Sequence, residues 1–222
     1  MKRVSHATWS TILSVVYLGL MSNFLVLVGA LPLVVLLMTT DPAYSWPLLA
    51  AAAPLSAPAL SAASATFREY SRGENQVVRT FLKAWRATWR KGMLLGLFAV
   101  AVEVVLLVDV RAVSASQASV VIVPVLAILA LIVAATALVA LVALSEAPGA
   151  RLRDILRASL YLSVRRWYLT ALSFLVLGIQ IALFTTMPAI AIGLTAAPAL
   201  YIAWANSRHT LRPVLELEEA VA

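Results

Sequence analysis

Four long runs of the sequence contain no Lys, Arg, Asp or Glu, and they constrain the fold more than any other feature. The runs cover residues 4–40, 42–67, 112–145 and 167–207, which are 37, 26, 34 and 41 residues long. Because about 20 apolar residues suffice to cross the hydrocarbon core of a bilayer, each run can span a membrane. With 63% hydrophobic and 12% charged residues, the chain has the composition of an integral membrane protein and not that of a water-soluble domain.

The number of spans follows from the lengths of the runs. As one helix, the last run would rise about 60 Å, roughly twice the thickness of the hydrocarbon core, so we expect it to fold back near Pro188. We predict an all-α, polytopic transmembrane bundle of about six helices that forms a single membrane domain over residues 1–222. The helices are predicted at about 11–38, 46–66, 93–109, 120–144, 167–187 and 189–206, with a short tail at 207–222.

Basic residues predict how the helices are oriented, because Lys and Arg are enriched in short cytoplasmic loops. With six helices, 16 of the 17 basic residues fall on one side of the membrane, and only Arg111 falls on the other. Both termini and the tail are therefore predicted to be cytoplasmic. A five-helix alternative would place Arg208 and Arg212 on the wrong side.

Two of the predicted cytoplasmic loops have a helical period, with apolar residues on one face and basic residues on the other. We predict amphipathic interfacial helices at about 74–91 and 151–165, lying against the anionic headgroups of the bilayer. In the first of them, Val77, Phe81 and Leu82 belong to the apolar face. The residues expected to contact headgroups or a partner protein are Arg79, Lys83, Trp85, Arg86, Trp89 and Arg90.

Three polar side chains are predicted to lie within the membrane. Glu103 is ionisable, and such a residue inside a span is a functional-site candidate by default. It is either a carboxylate that binds a proton, a cation or a polar substrate, or a protonated or hydrogen-bonded residue near the interface that carries Asp109. Asn23 and Gln180 are expected to form interhelical hydrogen bonds.

Catalytic machinery is not visible in the sequence. The chain has no cysteine, which excludes disulfides, thiolate zinc sites, iron–sulfur clusters and thiol nucleophiles. No phosphate-binding loop, dinucleotide fingerprint or nucleophile elbow occurs. We therefore predict a protein that is not an enzyme, with no catalytic residue, no cofactor and no metal. The net charge of +7 is explained by the membrane topology, so no nucleic-acid partner is expected.

Several motifs resemble one known family. Residues 23–32 read Asn-Phe-Leu-Val-Leu-Val-Gly-Ala-Leu-Pro, residues 57–63 read Ala-Pro-Ala-Leu-Ser-Ala-Ala, and the basic segment 79–92 follows. Together they resemble the YesL-like family of bacterial integral membrane proteins of unknown function, over roughly residues 10–210. The chain departs from the family's pattern at 33–49. The resemblance implies the bacterial plasma membrane and, since the family often occurs near genes for carbohydrate uptake transporters, an accessory role in that uptake.

Three functions stay open on the sequence. The first is a non-enzymatic protein accessory to ABC-type carbohydrate uptake, with a sugar transporter permease as partner of its basic loops. The second is a small secondary transporter or channel-like protein with Glu103 in its path, as buried charges and broken helices mark transport paths. The third is a membrane scaffold or sensor. A homo-oligomer is also open, because Gly92 and Gly96 form a Gly-x-x-x-Gly pair of the kind that lets helices approach closely.

Overall fold

A computed structural model describes the backbone of residues 6–221 and the side chains of residues 12–214, and it contains no strand in that part of the chain. Lys2 and Arg3, which are predicted to be cytoplasmic, lie outside the described residues. The elements are α1 (His6–Gly29), α2 (Leu31–Thr39), α3 (Pro42–Ser71), α4 (Val77–Val113), α5 (Ser119–Glu146), α6 (Leu152–Arg165), α7 (Trp167–Thr186), α8 (Pro188–Ile190), a π-helical segment (Ala191–Thr195) and α9 (Ala196–Val221).

Six helices of the described chain are long and apolar enough to cross a membrane. The predicted all-α architecture with six spanning helices is therefore confirmed, and the protein has the character of a multi-pass membrane protein. The six stretches are Ile12–Gly29, Pro42–Ser71, Val77–Val113, Ser119–Glu146, Trp167–Thr186 and Pro188–Val214.

The first predicted span, 11–38, is not one helix. The chain leaves helical geometry at Ala30, which separates α1 from α2. Pro32 is the physical reason, because it has no N–H to donate and its ring clashes with the carbonyl group one turn earlier. The break leaves α1 as the spanning helix and lets α2 pack separately against α3.

Helix α3 lies at the centre of the bundle and packs against α1, α2, α4, α5 and α9. It begins where Asp41 caps it by accepting a hydrogen bond from the Ala43 N–H at 2.8 Å. The helix continues without a break through all three of its internal prolines. It ends at Ser71, and Gly73 then turns the chain with a positive φ of 97°, a conformation that glycine adopts without a steric penalty.

The predicted interfacial helix at 74–91 and the predicted span at 93–109 are one continuous helix, α4, of 37 residues. No proline interrupts it, and Gly92 lies against α3 within the regular helix. At about 1.5 Å per residue, α4 rises roughly 55 Å, which exceeds the hydrocarbon core by far. The helix is therefore longer than one span requires, and its first turns belong to the α3–α4 hairpin. Val77 and Phe81, predicted to face the acyl chains, are buried in the bundle instead.

Two further segments, 151–165 and 207–222, were predicted to lie outside the spanning helices. A separate helix, α6, occupies the segment predicted at 151–165, and it buries Ile155, Ser159, Leu162 and Ser163 against the bundle. Its position relative to a membrane interface stays a prediction. The segment predicted as a short tail, 207–222, is helical as far as Val221, because α9 continues through it. The physical reason is burial of its first part, including Leu211, against the other helices.

The core is thin and rich in alanine. Small residues of α3 let neighbouring helices approach closely, as is common in membrane bundles. Glycines 92 and 96 of α4 lie against Pro58 and against Pro54 and Ala57, respectively, so the Gly-x-x-x-Gly pair is used within the chain. Aromatic contacts also hold α3 to α9, with the Phe67 and Tyr201 ring centroids 5.5 Å apart. The main buried cluster contains Leu18, Ala59, Ala62, Ala63, Phe67, Val77, Phe81, Val139, Val142, Leu162, Trp204 and Leu211.

Candidate functional site

The last span contains the least regular backbone of the described chain. A π-helical segment, Ala191–Thr195, lies between the short α8 and α9. In a π-helix each N–H group bonds a carbonyl five residues earlier, and such segments occur mostly as single turns at functional sites. The change from π to α geometry displaces backbone groups from their usual partners, so these groups need other hydrogen bonds when they are buried.

Asn23 of α1 supplies two of these hydrogen bonds. Its Nδ2 donates to the Gly193 carbonyl at 2.8 Å, and its Oδ1 accepts from the Ala197 N–H. In a regular α-helix the N–H of Ala197 would bond the carbonyl of Gly193 directly. The amide of Asn23 is therefore inserted between these two groups and replaces the helical bond. The side chain is 4% exposed, so both hydrogen bonds lie inside the bundle.

Gln180 of α7 holds the same segment from a second side. Its Nε2 donates to the Ala191 carbonyl at 2.8 Å, and its Oε1 accepts from the Thr195 hydroxyl at 2.8 Å. Asn23 and Gln180, predicted to form interhelical hydrogen bonds, are thus brought to one place by the fold. We call the set Asn23, Gln180 and Thr195 the amide clamp.

The amide clamp borders a cavity of about 750 Å³ between α1, α2, α7 and the π-helical segment. Its walls are mostly apolar, with Val34, Phe184 and Ile192 among the lining side chains, and Asn23 and Gln180 are two of the few polar groups. Mostly apolar pockets of roughly 300–1,000 Å³ with a few polar groups are typical of small-molecule sites. The cavity also reaches Pro42, so it opens toward the end of the bundle that carries Asp41.

Glu103 does not belong to this site. It lies on α4, where its carboxyl group faces the backbone of Ala134 on α5. Its Oε1 is buried and has no hydrogen-bond partner in the described part of the chain. The fold thus separates Glu103 from Asn23 and Gln180, and Glu103 does not line the cavity beside the amide clamp.

The six residues predicted to contact headgroups or a partner protein are all exposed on α4. Arg79 and Lys83 line a polar cleft of about 500 Å³ between the α3–α4 hairpin and the end of α5. The remaining four, Trp85, Arg86, Trp89 and Arg90, do not line this cleft, and we call them the tryptophan face. There the Arg90 guanidinium lies 5.6 Å from the ring centroid of Trp89.

The carboxylate of Glu146 organises the same end of the bundle, and no role was predicted for it from the sequence. Its Oε2 lies 3.6 Å from a guanidinium nitrogen of Arg68 on α3. Its Oε1 lies 3.7 Å from Nε of Arg208 on α9, which is an ion pair longer than a hydrogen bond. The side chain of Glu146 is only 6% exposed. The sequence does contain a feature from which an ion pair at Glu146 could have been predicted. Glu146 is the single carboxylate that ends an uncharged run beside loops rich in arginine.

Other cations at this end donate to backbone carbonyl groups of neighbouring segments. Lys91 Nζ donates to the Pro148 carbonyl at 2.6 Å and to the Ala150 carbonyl at 2.8 Å. Arg166 donates to the His209 carbonyl at 2.6 Å. These contacts place the α3–α4, α5–α6 and α6–α7 connections and part of α9 at one end of the molecule, which we call the basic end.

The described residues offer no set of three or more His, Asp or Glu side chains that could hold a metal ion. The predictions that the protein has no cofactor and is not an enzyme stay predictions. What the amide clamp can do chemically is limited to hydrogen bonding. The tryptophan face can bind by apolar, cation–π and ionic contacts.

Comparison with known proteins gives one match. The model of a family described as "Protein of unknown function, DUF624" matches residues 11–110. Over these residues the chain is similar to that uncharacterised family. The matched part covers α1 from its sixth residue, α2, α3 and most of α4, and it includes Asn23, Gly96 and the tryptophan face. No curated protein matches the chain, and no solved structure does.

Replacing Asn23 tests whether the amide clamp supports the π-helical segment. In Asn23→Leu, the Gly193 carbonyl and the Ala197 N–H lose their partners inside the bundle. An unpaired buried group costs about 1–3 kcal/mol, and hydrogen bonds in membrane bundles fall at the low end. We expect the free energy of unfolding in mixed micelles to drop by about 2 kcal/mol, with faster hydrogen exchange at Ala197.

Asn206→Leu is the matched control. Among the described residues, the Asn206 side chain donates to the Ser173 side chain, at 3.2 Å, and to no backbone group, so its loss leaves no backbone group there unpaired. We expect a decrease of about 0.6 kcal/mol or less. Equal losses in the two variants would show that the amide of Asn23 has no special part in the π-helical segment.

Proposed function

We propose that this chain is a non-enzymatic, multi-pass protein of the bacterial plasma membrane that acts as an accessory subunit of an ABC-type carbohydrate uptake transporter. The observation that supports this most directly is the tryptophan face. Trp85 is 39% exposed and Trp89 is 48% exposed, beside two arginines on a helix that extends beyond the hydrocarbon core. Trp and Arg are the residues most enriched in the centres of protein interfaces.

The proposed orientation places both termini and the basic end in the cytoplasm. It is supported by the contacts of Arg68, Lys91 and Arg166, which bring separate basic connections to one end of the bundle. Such clustering is the arrangement that the positive-inside rule favours. The partner in this proposal is therefore a permease that meets the tryptophan face at the cytoplasmic surface, with anionic lipid headgroups around it.

Mild-detergent purification of the tagged full-length protein from its native membrane, followed by mass spectrometry, tests the proposal. We expect a sugar transporter permease to be recovered in stoichiometric amount. A double variant, Trp85→Ala with Trp89→Ala, should reduce that recovery by about tenfold or more, since residues of this type often contribute 2 kcal/mol or more to an interface.

Trp46→Ala is the matched control, because Trp46 is equally exposed, at 46%, but lies near the start of α3 at the opposite end. It should recover the permease as the wild type does. Purification of the wild type as a monomer or homodimer without a permease would contradict the accessory role as a stable complex.

The cavity beside the amide clamp favours one second candidate, a small transporter. Its volume and the broken last span are features that transport sites share, and its path would pass Asn23 and Gln180, with Glu103 outside it. Uptake of a sugar by proteoliposomes of the pure protein, lost in Asn23→Leu but kept in Glu103→Gln, would support this candidate. Absence of uptake together with permease recovery would support the accessory role.

A further inference from the structure

A groove of about 570 Å³ lies between α4, α5 and α6, apart from the cavity beside the amide clamp. One wall is formed by Leu95, Phe98 and Val102 of α4, and the opposite wall includes Ile132 and Val133 of α5. From Leu95 to Val102 the helix rises about 10 Å, roughly a third of the hydrocarbon core. The groove is thus an apolar channel that runs from the basic end into the membrane region.

Two arginines of α6, Arg153 and Arg157, also line this groove. They are one helical turn apart and therefore lie on the same side of α6. Both are exposed, and neither forms an ion pair with a carboxylate in the described part of the chain. Arg68 and Arg208, by contrast, share Glu146. The groove thus combines two unpaired guanidinium groups with an apolar channel.

We propose that this groove binds one phospholipid with an anionic headgroup. The phosphate oxygens accept hydrogen bonds from the guanidinium groups of Arg153 and Arg157, which match phosphate geometry and are the usual partners of such groups. One acyl chain lies in the apolar channel against Leu95, Phe98 and Val102. A free phosphate ion would use the arginines but leave the channel empty, so the combination favours a lipid.

The site differs from general attraction of basic loops to a membrane surface, which needs charge but no channel. It is also independent of the proposed function, since neither the tryptophan face nor the amide clamp contributes a lining residue. Because both arginines lie on α6, binding of the lipid would affect how α6 is held. A bound lipid connects α6 to the α4–α5 pair at the point where those helices leave the membrane.

The experiment measures binding of phosphatidylglycerol and phosphatidylcholine to the delipidated full-length protein in detergent by native mass spectrometry. We expect the wild type to retain one phosphatidylglycerol at concentrations where phosphatidylcholine dissociates. The double variant Arg153→Gln with Arg157→Gln should bind phosphatidylglycerol about tenfold more weakly. The matched control is Arg86→Gln with Arg90→Gln, an exposed pair with the same spacing on α4, which should bind like the wild type.

Ala99→Leu tests the channel without changing any charge. Ala99 is half-buried and lines the groove, so a larger side chain there should weaken phosphatidylglycerol binding by a similar factor. This variant keeps the proposal testable if the arginine variant does not fold. Inorganic phosphate at millimolar concentration should not displace the lipid.

Three results would overturn the proposal. The first is equal retention of the two lipids by the wild type, and the second is unchanged binding in both groove variants. The third is equal weakening of phosphatidylglycerol binding in the groove double variant and in the control double variant. That result would mean that general charge attraction explains the binding.

Discussion

Replacing Glu146 with glutamine should destabilise the protein more than any other single charge removal in the described residues. The variant leaves the guanidinium groups of Arg68 and Arg208 without the carboxylate between them, and Arg68 is only 16% exposed at its side chain. Breaking a buried ion pair by removing one partner typically costs about 3–5 kcal/mol. Arg208 is 36% exposed, so solvent screens part of that cost, and we expect a loss of about 2–4 kcal/mol.

The free energy of unfolding in mixed micelles measures this effect, and Glu74→Gln is the control. Glu74 is exposed and belongs to the same end of the bundle, so its replacement should change stability by about 0.5 kcal/mol or less. The combined variant Glu146→Gln with Arg208→Gln should recover part of the loss, since one unpaired cation is then removed. A stable Glu146→Gln protein would show that Arg68 is satisfied by its bond to the Ser145 carbonyl and by Glu69.

A bulky side chain at Gly96 should separate α4 from α3. A Cβ atom at this position would lie 2.7 Å from the Cβ of Ala57 and 3.1 Å from the Cα of Pro54. Both neighbours are backbone or the first atom of a side chain, so neither can move without a shift of α3. Overpacking usually costs about 1–3 kcal/mol and sometimes more. For Gly96→Leu we expect a loss of about 3 kcal/mol or more, seen as low yield of monodisperse protein in detergent.

Gly178→Leu provides the matched control on α7. No heavy atom lies within 4 Å of a Cβ built at Gly178, so the same substitution should fold with a change in stability of about 0.5 kcal/mol or less. Comparable loss of folded protein in the two variants would point to a general sensitivity to leucine and would contradict the close α3–α4 packing as its cause.

The number of spanning helices was predictable because hydropathy and charge are read along the chain without knowledge of packing. A lipid environment requires each span to satisfy its own backbone hydrogen bonds, so length and composition define it. Continuity between helices was not predictable in this way. The periodicity of 74–91 is the same for a helix that lies on the membrane and for one that continues into the span. The continuous helix depends on tertiary packing, in which Val77 and Phe81 are buried against the bundle.

The candidate site was predictable by residue type but not by arrangement. Asn23 and Gln180 are conspicuous as amides in apolar segments, and interhelical hydrogen bonds are the expected use of such groups. Their partners are backbone groups of a π-helical segment, and no pattern of side chains in the sequence predicts such a segment. Thr195 and Glu146 were missed because their roles depend on which helices are neighbours. Glu103 was predicted as an intramembrane functional candidate, and the fold places it away from the amide clamp.

The central position of α3 bears on how the protein is made. More than half of its candidate membrane window is buried inside the bundle, and it is the least hydrophobic of the six spans. A segment rich in Ala, Ser and Pro has little affinity for acyl chains when it leaves the translocon alone. Its partner α4 follows after a turn of five residues and fits it through Gly92 and Gly96. We therefore expect the two helices to enter the bilayer together, as one helical hairpin.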